Sequence, residues 1–306
     1  MKKHNAFTLI ELIFVIVVMG IIGKFGVEFL AQAYRSFIFS NINNTLQSNS
    51  STAVEFIGAR LQHRLKDSII VRTGEVTSFK SLASASTANN YTVLEWVSSD
   101  IDNFRGTTSP NWSGIIDLEH SDHNSSILVS PETNTTAINS LIQSLSHSKS
   151  TFDNSAALYF IGSNVDINGY GWNSNAITTQ NEVMHPVVSV TNHTDQFMSG
   201  VSNFTGIDVY EYYKLAWTAN AIVMENYNQG AYAGKNMGDL VFYFNYQPWN
   251  GEKFYDGGDV LHYTIMKKVS TFRAIAIGSI IKIQVCTKSA TVKDEEYSLC
   301  KEKTIF

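Results

Sequence analysis

Residues 7–24 read FTLIELIFVIVVMGIIGK, and their reading decides the architecture of the chain. From Phe7 to Gly23 the run is almost entirely apolar, yet Glu11 lies near its start, where a carboxylate is costly in hydrocarbon and by default functional. As a helix, seventeen residues reach roughly 26 Å against a hydrocarbon core of about 30 Å, and 25–30 help to complete the span. Lys2, Lys3 and the amino terminus precede the run, so the positive-inside tendency leaves the N-terminus in the cytoplasm and sends the chain beyond about Lys24 across the membrane. A secretory signal would close on a small-residue cleavage site. Here the helical apolar pattern continues instead through Phe25, Phe29, Leu30, Ala33 and Phe37.

Beyond the span, Ile42, Leu46, Ala53, Ile57, Leu61 and Leu65 continue a helical stripe, with Glu55, Arg60, Arg64 and Lys66 on other faces. A helix unbroken from Phe7 to about Lys66 would be roughly 90 Å long. Its weak point is SNINNTLQSNSST at 40–52, whose hydroxyls and amides compete for backbone hydrogen bonds and are expected to kink or melt it. From Asp67 the pattern changes to short β-branched or alternating runs at 68–72, 91–97, 126–130, 157–162, 185–190, 209–217, 240–246 and 280–286, which read as strands. One short helix is predicted at 134–145, NTTAINSLIQSL. No repeat or linker divides this region, so it reads as one α+β head with long insertions, packed on the C-terminal half of the helix.

The 306 residues carry a net charge of −5 with no Lys/Arg-rich stripe interleaved with aromatics, so nucleic acid is not expected as a partner. Only 16% of residues are charged, and Asn, Ser and Thr are abundant, a composition suited to a secreted, loop-rich β domain. No GxSxG elbow, HExxH, GxxxxGK[ST] loop or GxGxxG after a strand is found, and no enzymatic activity is expected.

The N-terminal run, KKHNAFTLIEL, resembles the prepilin leader of type IV pilins and type II secretion pseudopilins: a short basic leader, a small residue, then a Phe-Thr-Leu-Ile-Glu start to a long apolar helix. The family usually has Gly before the cut, whereas Ala6 stands here. The resemblance implies a leader peptide at 1–6, cut between Ala6 and Phe7 by a prepilin peptidase, and N-methylation of Phe7. It further implies a membrane and assembly helix at 7–30, continued amphipathically through 31–66, and a periplasmic β-rich head at 67–306. Glu11, five positions into the mature chain, would meet the new amine of a neighbouring subunit. The implied place is the inner membrane, single-pass, among other pilin-like subunits. KKVSTFRAIAIGSIIKIQVC at 267–286 looks, more weakly, like the closing strands of minor pseudopilins. A head of about 240 residues would crowd its neighbours in a homopolymer, which favours a low-copy subunit of a type II secretion or related filament. A minor pilin of a type IV pilus with an adhesive or DNA-uptake role is the alternative.

A head facing the periplasm places Cys286 and Cys300 where cysteines pair, and a disulfide between them is expected. LEHSDH at 118–123 offers His120, Asp122 and His123 in part of an HxHxDH pattern, with Leu118 in place of its first His. Two histidines without further grouped ligands read as a polar loop. Asp166 with Asn168, and Asp256 with Asp259, have the oxygen-rich look of calcium loops but lack the bidentate acid of an EF-hand. Turn formation explains both. No cofactor is expected, with calcium the one ion kept open because some pseudopilins bind it. The aromatic-rich segments at 209–217 and 243–255 read chiefly as core, with stacking on a glycan or a protein as their alternative.

Overall fold

The computed structural model describes residues 8–65, 67–74, 78–85, 91–105, 109–122, 126–289 and 297–306. Its first element, α1 (Leu9–Leu61), is a single 53-residue helix. Thr8 caps it in extended conformation, and Glu11 completes a capping box by accepting from the Thr8 backbone. The expected break at 40–52 does not occur. The competing hydroxyls are spent inside the helix: Thr45 donates to Asn41 O at 2.9 Å, Ser50 to Leu46 O at 2.8 Å and Thr52 to Ser48 O at 2.9 Å. Each donates to the carbonyl four residues back, so it satisfies itself without opening the ladder.

Past the helix the chain lays down β1 (Ile70–Arg72), β2 (Lys80–Ser81) and β3 (Val93–Val97). Residues 98–218 then leave this sheet. They hold α2 (Ile101–Arg105), β4 (Asp117–Asp122), β5 (Ile127–Val129), α3 (Thr135–Leu145), α4 (Phe152–Ser155), β6 (Ala157–Phe160), β7 (His185–Val190), β8 (His193–Ser199) and β9 (Tyr213–Ala216). The chain returns as β10 (Ala219–Glu225), and β11 (Gly238–Tyr246), β12 (Leu261–Ile277), β13 (Ile280–Lys288) and β14 (Ser298–Ile305) complete the first sheet as a meander. The result is an eight-stranded sheet in the order β14-β13-β12-β11-β10-β3-β1-β2 and a six-stranded sheet in the order β4-β5-β8-β7-β6-β9, with every neighbouring pair antiparallel. The fold is α+β: one long apolar helix and a β-rich head of two curled sheets.

The inserted segment begins and ends at one place, since Val97 pairs with Ala219 and Ser98 N–H donates to Thr218 O. Its own sheet curls until the chain just before β4 meets the chain at the start of β9: Tyr213 N–H donates to Gly114 O at 3.0 Å and Ile116 N–H to Glu211 O at 2.7 Å. Inside lies a core of Leu128, Ile138, Ile142, Phe152, Phe160 and Phe197.

At β3 both faces of the eight-stranded sheet are covered, which is why this strand is buried at all five positions. Leu94 and Trp96 point toward α1 and meet Val54, Ile57 and Leu61. Val93 and Val97 point the other way, into a core shared with Tyr159, Tyr170 and Trp172 of the inserted segment. The predicted strands at 91–97, 185–190 and 280–286 are found nearly in full. Within 209–217 only Tyr213–Ala216 is strand, and the helix at 134–145 runs Thr135–Leu145 with Asn134 as its N-cap.

Candidate assembly surface

The burial pattern of α1 divides it in two. Leu46, Ser50, Ala53, Val54, Ile57, Gly58 and Leu61 recur at helical spacing and are buried against the head. Upstream the side chains face outward on every side: Leu9 is 77% exposed, Phe14 70% and Phe29 70%. The head's reach along the helix is marked by Phe39, whose ring meets Tyr297 edge-on at 4.8 Å between centroids. Residues 9–38 are therefore uncovered by the head, a length of about 45 Å. This is the one helix among the described residues long and apolar enough to cross a membrane. An apolar surface of this extent, outside any core, marks a membrane or assembly contact.

Glu11 sits in the first turn of that free half. Its Oε2 accepts from the Thr8 backbone N–H and from Thr8 Oγ1, each at 3.4 Å, while its own N–H donates to Thr8 Oγ1 at 3.4 Å. Within one chain the carboxylate thus completes its own helix start, where a negative charge also suits the macrodipole. Ala6 and Phe7, the expected processing site, lie outside the described residues.

The head grips the other half through groups that helical periodicity alone does not name. Lys303 of β14 forms an ion pair with Glu55, and Arg64 donates to Leu61 O at 2.9 Å and, through Nη2, to Ser279 O at 3.0 Å at the tip of the β12–β13 hairpin. Cys286 and Cys300 face each other across β13 and β14 and form a disulfide, so the strand pair seated on the helix is covalently closed.

The remaining sequence candidates resolve into local structure. His120 Nδ1 lies 2.8 Å from Asp117 Oδ2, which raises the imidazole's pKa, while the His120 backbone N–H and then its ring lower the carboxyl's. His123 lies outside the described residues. Asp166 accepts from the Asn168 backbone at 3.0 Å and caps a single 3₁₀ turn, while Asp256 accepts from Lys253 N at 2.8 Å. Among the described residues no three His, Cys, Asp or Glu side chains group as metal ligands. Of the aromatics, Tyr213, Trp217, Tyr246, Trp249 and Phe254 are buried, whereas Tyr212 is exposed.

The family model described as the prokaryotic N-terminal methylation motif matches residues 1–23. No curated protein and no solved structure matches the chain. The chain therefore carries a type IV pilin-like methylation leader, followed by a free apolar helix that bears a β-rich head on its far half.

Proposed function

We propose that this protein is a minor subunit of a pilin-like filament, of the type II secretion class or a close relative. It is held in the inner membrane by residues 7–30, with its head in the periplasm, and is cut between Ala6 and Phe7. Its work is assembly and protein contact. The observation that carries this reading is the division of α1: an uncovered apolar half beside a half that is stapled to the head. A helix of this kind is incomplete alone and is satisfied by lipid before assembly and by neighbouring helices after it. The bulk of the head supports low copy number, because residues 98–218 add a whole second sheet that every copy in a homopolymer would have to accommodate. A minor pilin of a type IV pilus rests on the same leader, and the exposed Tyr212 gives that reading an aromatic with which to adhere.

Cleavage before Phe7 creates a cationic amine at a helix start, in a layer where an unpaired charge is expensive. Glu11 has two uses there, capping its own Thr8 or meeting the amine of a neighbour. Glu11→Ala and Glu11→Leu are expected to insert and be cut normally, yet to lose most crosslinking to neighbouring pilin-like subunits. Glu11→Gln keeps an acceptor for the cap without the charge. If Glu11→Gln crosslinks like the parent, capping is the carboxylate's role and the charge-pairing account of assembly is wrong.

A further inference from the structure

The eight-stranded sheet is not continuous along β12. Its neighbour β11 ends at Gly238, opposite Val269, while β12 runs on to Ile277, paired on its other side with β13 throughout. Among the described residues no strand lies against the second edge of residues 270–277. Nor do their backbone groups bond to any other described backbone group outside the β13 ladder. Alternate residues of a strand present N–H and C=O to each side, so this edge offers an unfilled ladder.

The edge does not open onto bulk solvent alone. Where β11 stops, a cavity of about 590 Å³ separates Ser270–Ile275 from the ends of β1, β3 and β10. This is the size of pockets that take ligands. Its apolar lining includes Val71, Leu94, Met224, Tyr227, Phe272 and Ala274. At its rim Lys282 and Glu302 satisfy each other at 2.5 Å, and Gln284 donates to the same carboxylate at 2.7 Å. Arg273 is different: it is exposed on the rim, and no carboxylate among the described residues pairs with it. Lys267 and Lys268, exposed just before the open stretch of β12, likewise have no ion pair among the described residues. In a chain of net charge −5 this strand is locally cationic.

From these three features we infer that the open edge of β12 is a docking site for an extended, acidic peptide segment of a partner protein. The segment adds itself as a strand between β12 and the ends of β3 and β10. Each feature selects one property of the occupant. The unfilled ladder asks for an extended backbone, the cavity for apolar side chains at alternate positions, and the unpaired cations for an acid between them. A small rigid ligand would fill the cavity and leave the ladder open, and a docked helix has no backbone groups to offer it. The inference does not depend on which kind of filament the protein serves.

The test uses the full chain in detergent and a capped heptapeptide that alternates valine and threonine around a central glutamate. Binding is read by fluorescence anisotropy and calorimetry. A saturable complex is expected, abolished when alternate amides of one register are N-methylated and retained when those of the other register are. Arg273→Glu, an exposed change that leaves the fold intact, should weaken the glutamate peptide by roughly tenfold or more and favour its lysine counterpart. Equal binding of the two N-methylated registers would show that no strand is added. No saturable binding, or indifference to Arg273→Glu, would also overturn the assignment. So would self-association of the chain that Arg273→Glu abolishes, because the occupant would then be a second copy.

Discussion

On one face of the eight-stranded sheet, Ala53, Val54, Ile57 and Leu61 of a single helix meet Leu94, Trp96, Ile222 and Leu240, and the ion pair of Glu55 with Lys303 lies at the exposed edge of that contact. On the other face the inserted segment is held partly by charge. Arg72 of β1 lies 2.5 Å from Glu95 of β3 and donates through Nη2 to Trp172 O at 2.9 Å, while Tyr246 donates to the second Glu95 oxygen at 3.0 Å. Both charged side chains are almost fully buried. Burial pushes the Glu95 carboxyl above its ordinary range, and the neighbouring guanidinium pulls it back. An apolar interface loses stability in proportion to the atoms removed from it, whereas a buried ion pair fails as a unit. The first suits a helix that any good stripe can hold. The second favours one register for the inserted segment, because Arg72 Nη2 reaches the Trp172 carbonyl only with that segment in its present place.

The largest effect is expected from breaking that pair. Arg72→Ala strands the Glu95 carboxylate and should cost about 3–5 kcal/mol in chemical denaturation of the full chain. An acid whose folded pKa is raised favours the folded state most at low pH and loses that contribution as pH rises, so the deficit should be smaller at pH 5 than at pH 8. Arg72→Met combined with Glu95→Leu should lie closer to the parent than either single change. A cost below about 1 kcal/mol for Arg72→Ala would remove the distinction between the two faces.

On the helix side Ile57, fully buried, is the matching probe. Ile57→Ala is expected to cost roughly 2–4 kcal/mol from lost transfer and the cavity left behind. With no titrating group at that contact, the cost should be equal at pH 5 and pH 8. A pH-dependent deficit there would mean that the helix is coupled to the polar face through the sheet.

A third probe lies inside the inserted segment. His185 of β7 is buried between Phe160 and Phe204, its Nδ1 3.0 Å from Gln180 Oε1, and burial pushes its pKa down to about 4. A histidine held neutral contributes stability that is fully present above its unfolded pKa and is lost as pH falls toward the folded one. The gap from 6.5 to about 4 corresponds to roughly 3 kcal/mol, shed progressively across that window. His185→Asn keeps a donor for Gln180 and should flatten the pH dependence between 6.5 and 4, whatever its own cost. An unchanged acid slope would place the acid-labile group elsewhere.

The helix face is readable in the sequence because a stripe at 46, 53, 57 and 61 leaves a periodic trace. The strands are readable where β-branched runs are long, as in Ile280–Lys288. The polar face leaves no such trace. Glu95 looks like the solvent side of an alternating strand, and only contact with Arg72 and Tyr246, distant in sequence, makes it interior. For the same reason the strands predicted at 126–130, 157–162, 185–190 and 209–217 do not read in the sequence as a second sheet: nothing local in 98–218 reveals that Val97 and Ala219 are neighbours. At the assembly surface Glu11 stands out because an acid in an apolar run is anomalous. Tyr297 and Lys303, which seat the head on α1, look like any surface residues.

The smallest expected effect sharpens the account of the helix face. Gly58 lies buried in α1, where a glycine is worth about 1 kcal/mol less than alanine in helix propensity. A Cβ there would come within 2.7 Å of Lys303 Cδ and 2.9 Å of its Cε, both in a flexible side chain rather than backbone. Gly58→Ala would therefore push the Lys303 stem aside and loosen its ion pair with Glu55, a partly exposed contact worth less than about 1 kcal/mol. Gain and loss nearly cancel, and the single substitution should change stability by less than about 0.5 kcal/mol. In a Lys303→Ala background the obstruction and the ion pair are both gone, so the same change should stabilise by the full propensity difference of about 1 kcal/mol. The two differ by a coupling energy that a double-mutant cycle isolates. If Gly58→Ala instead costs more than about 2 kcal/mol in both backgrounds, α1 and β14 are packed backbone to backbone. The helix face would then be as intolerant of a single change as the charged face opposite.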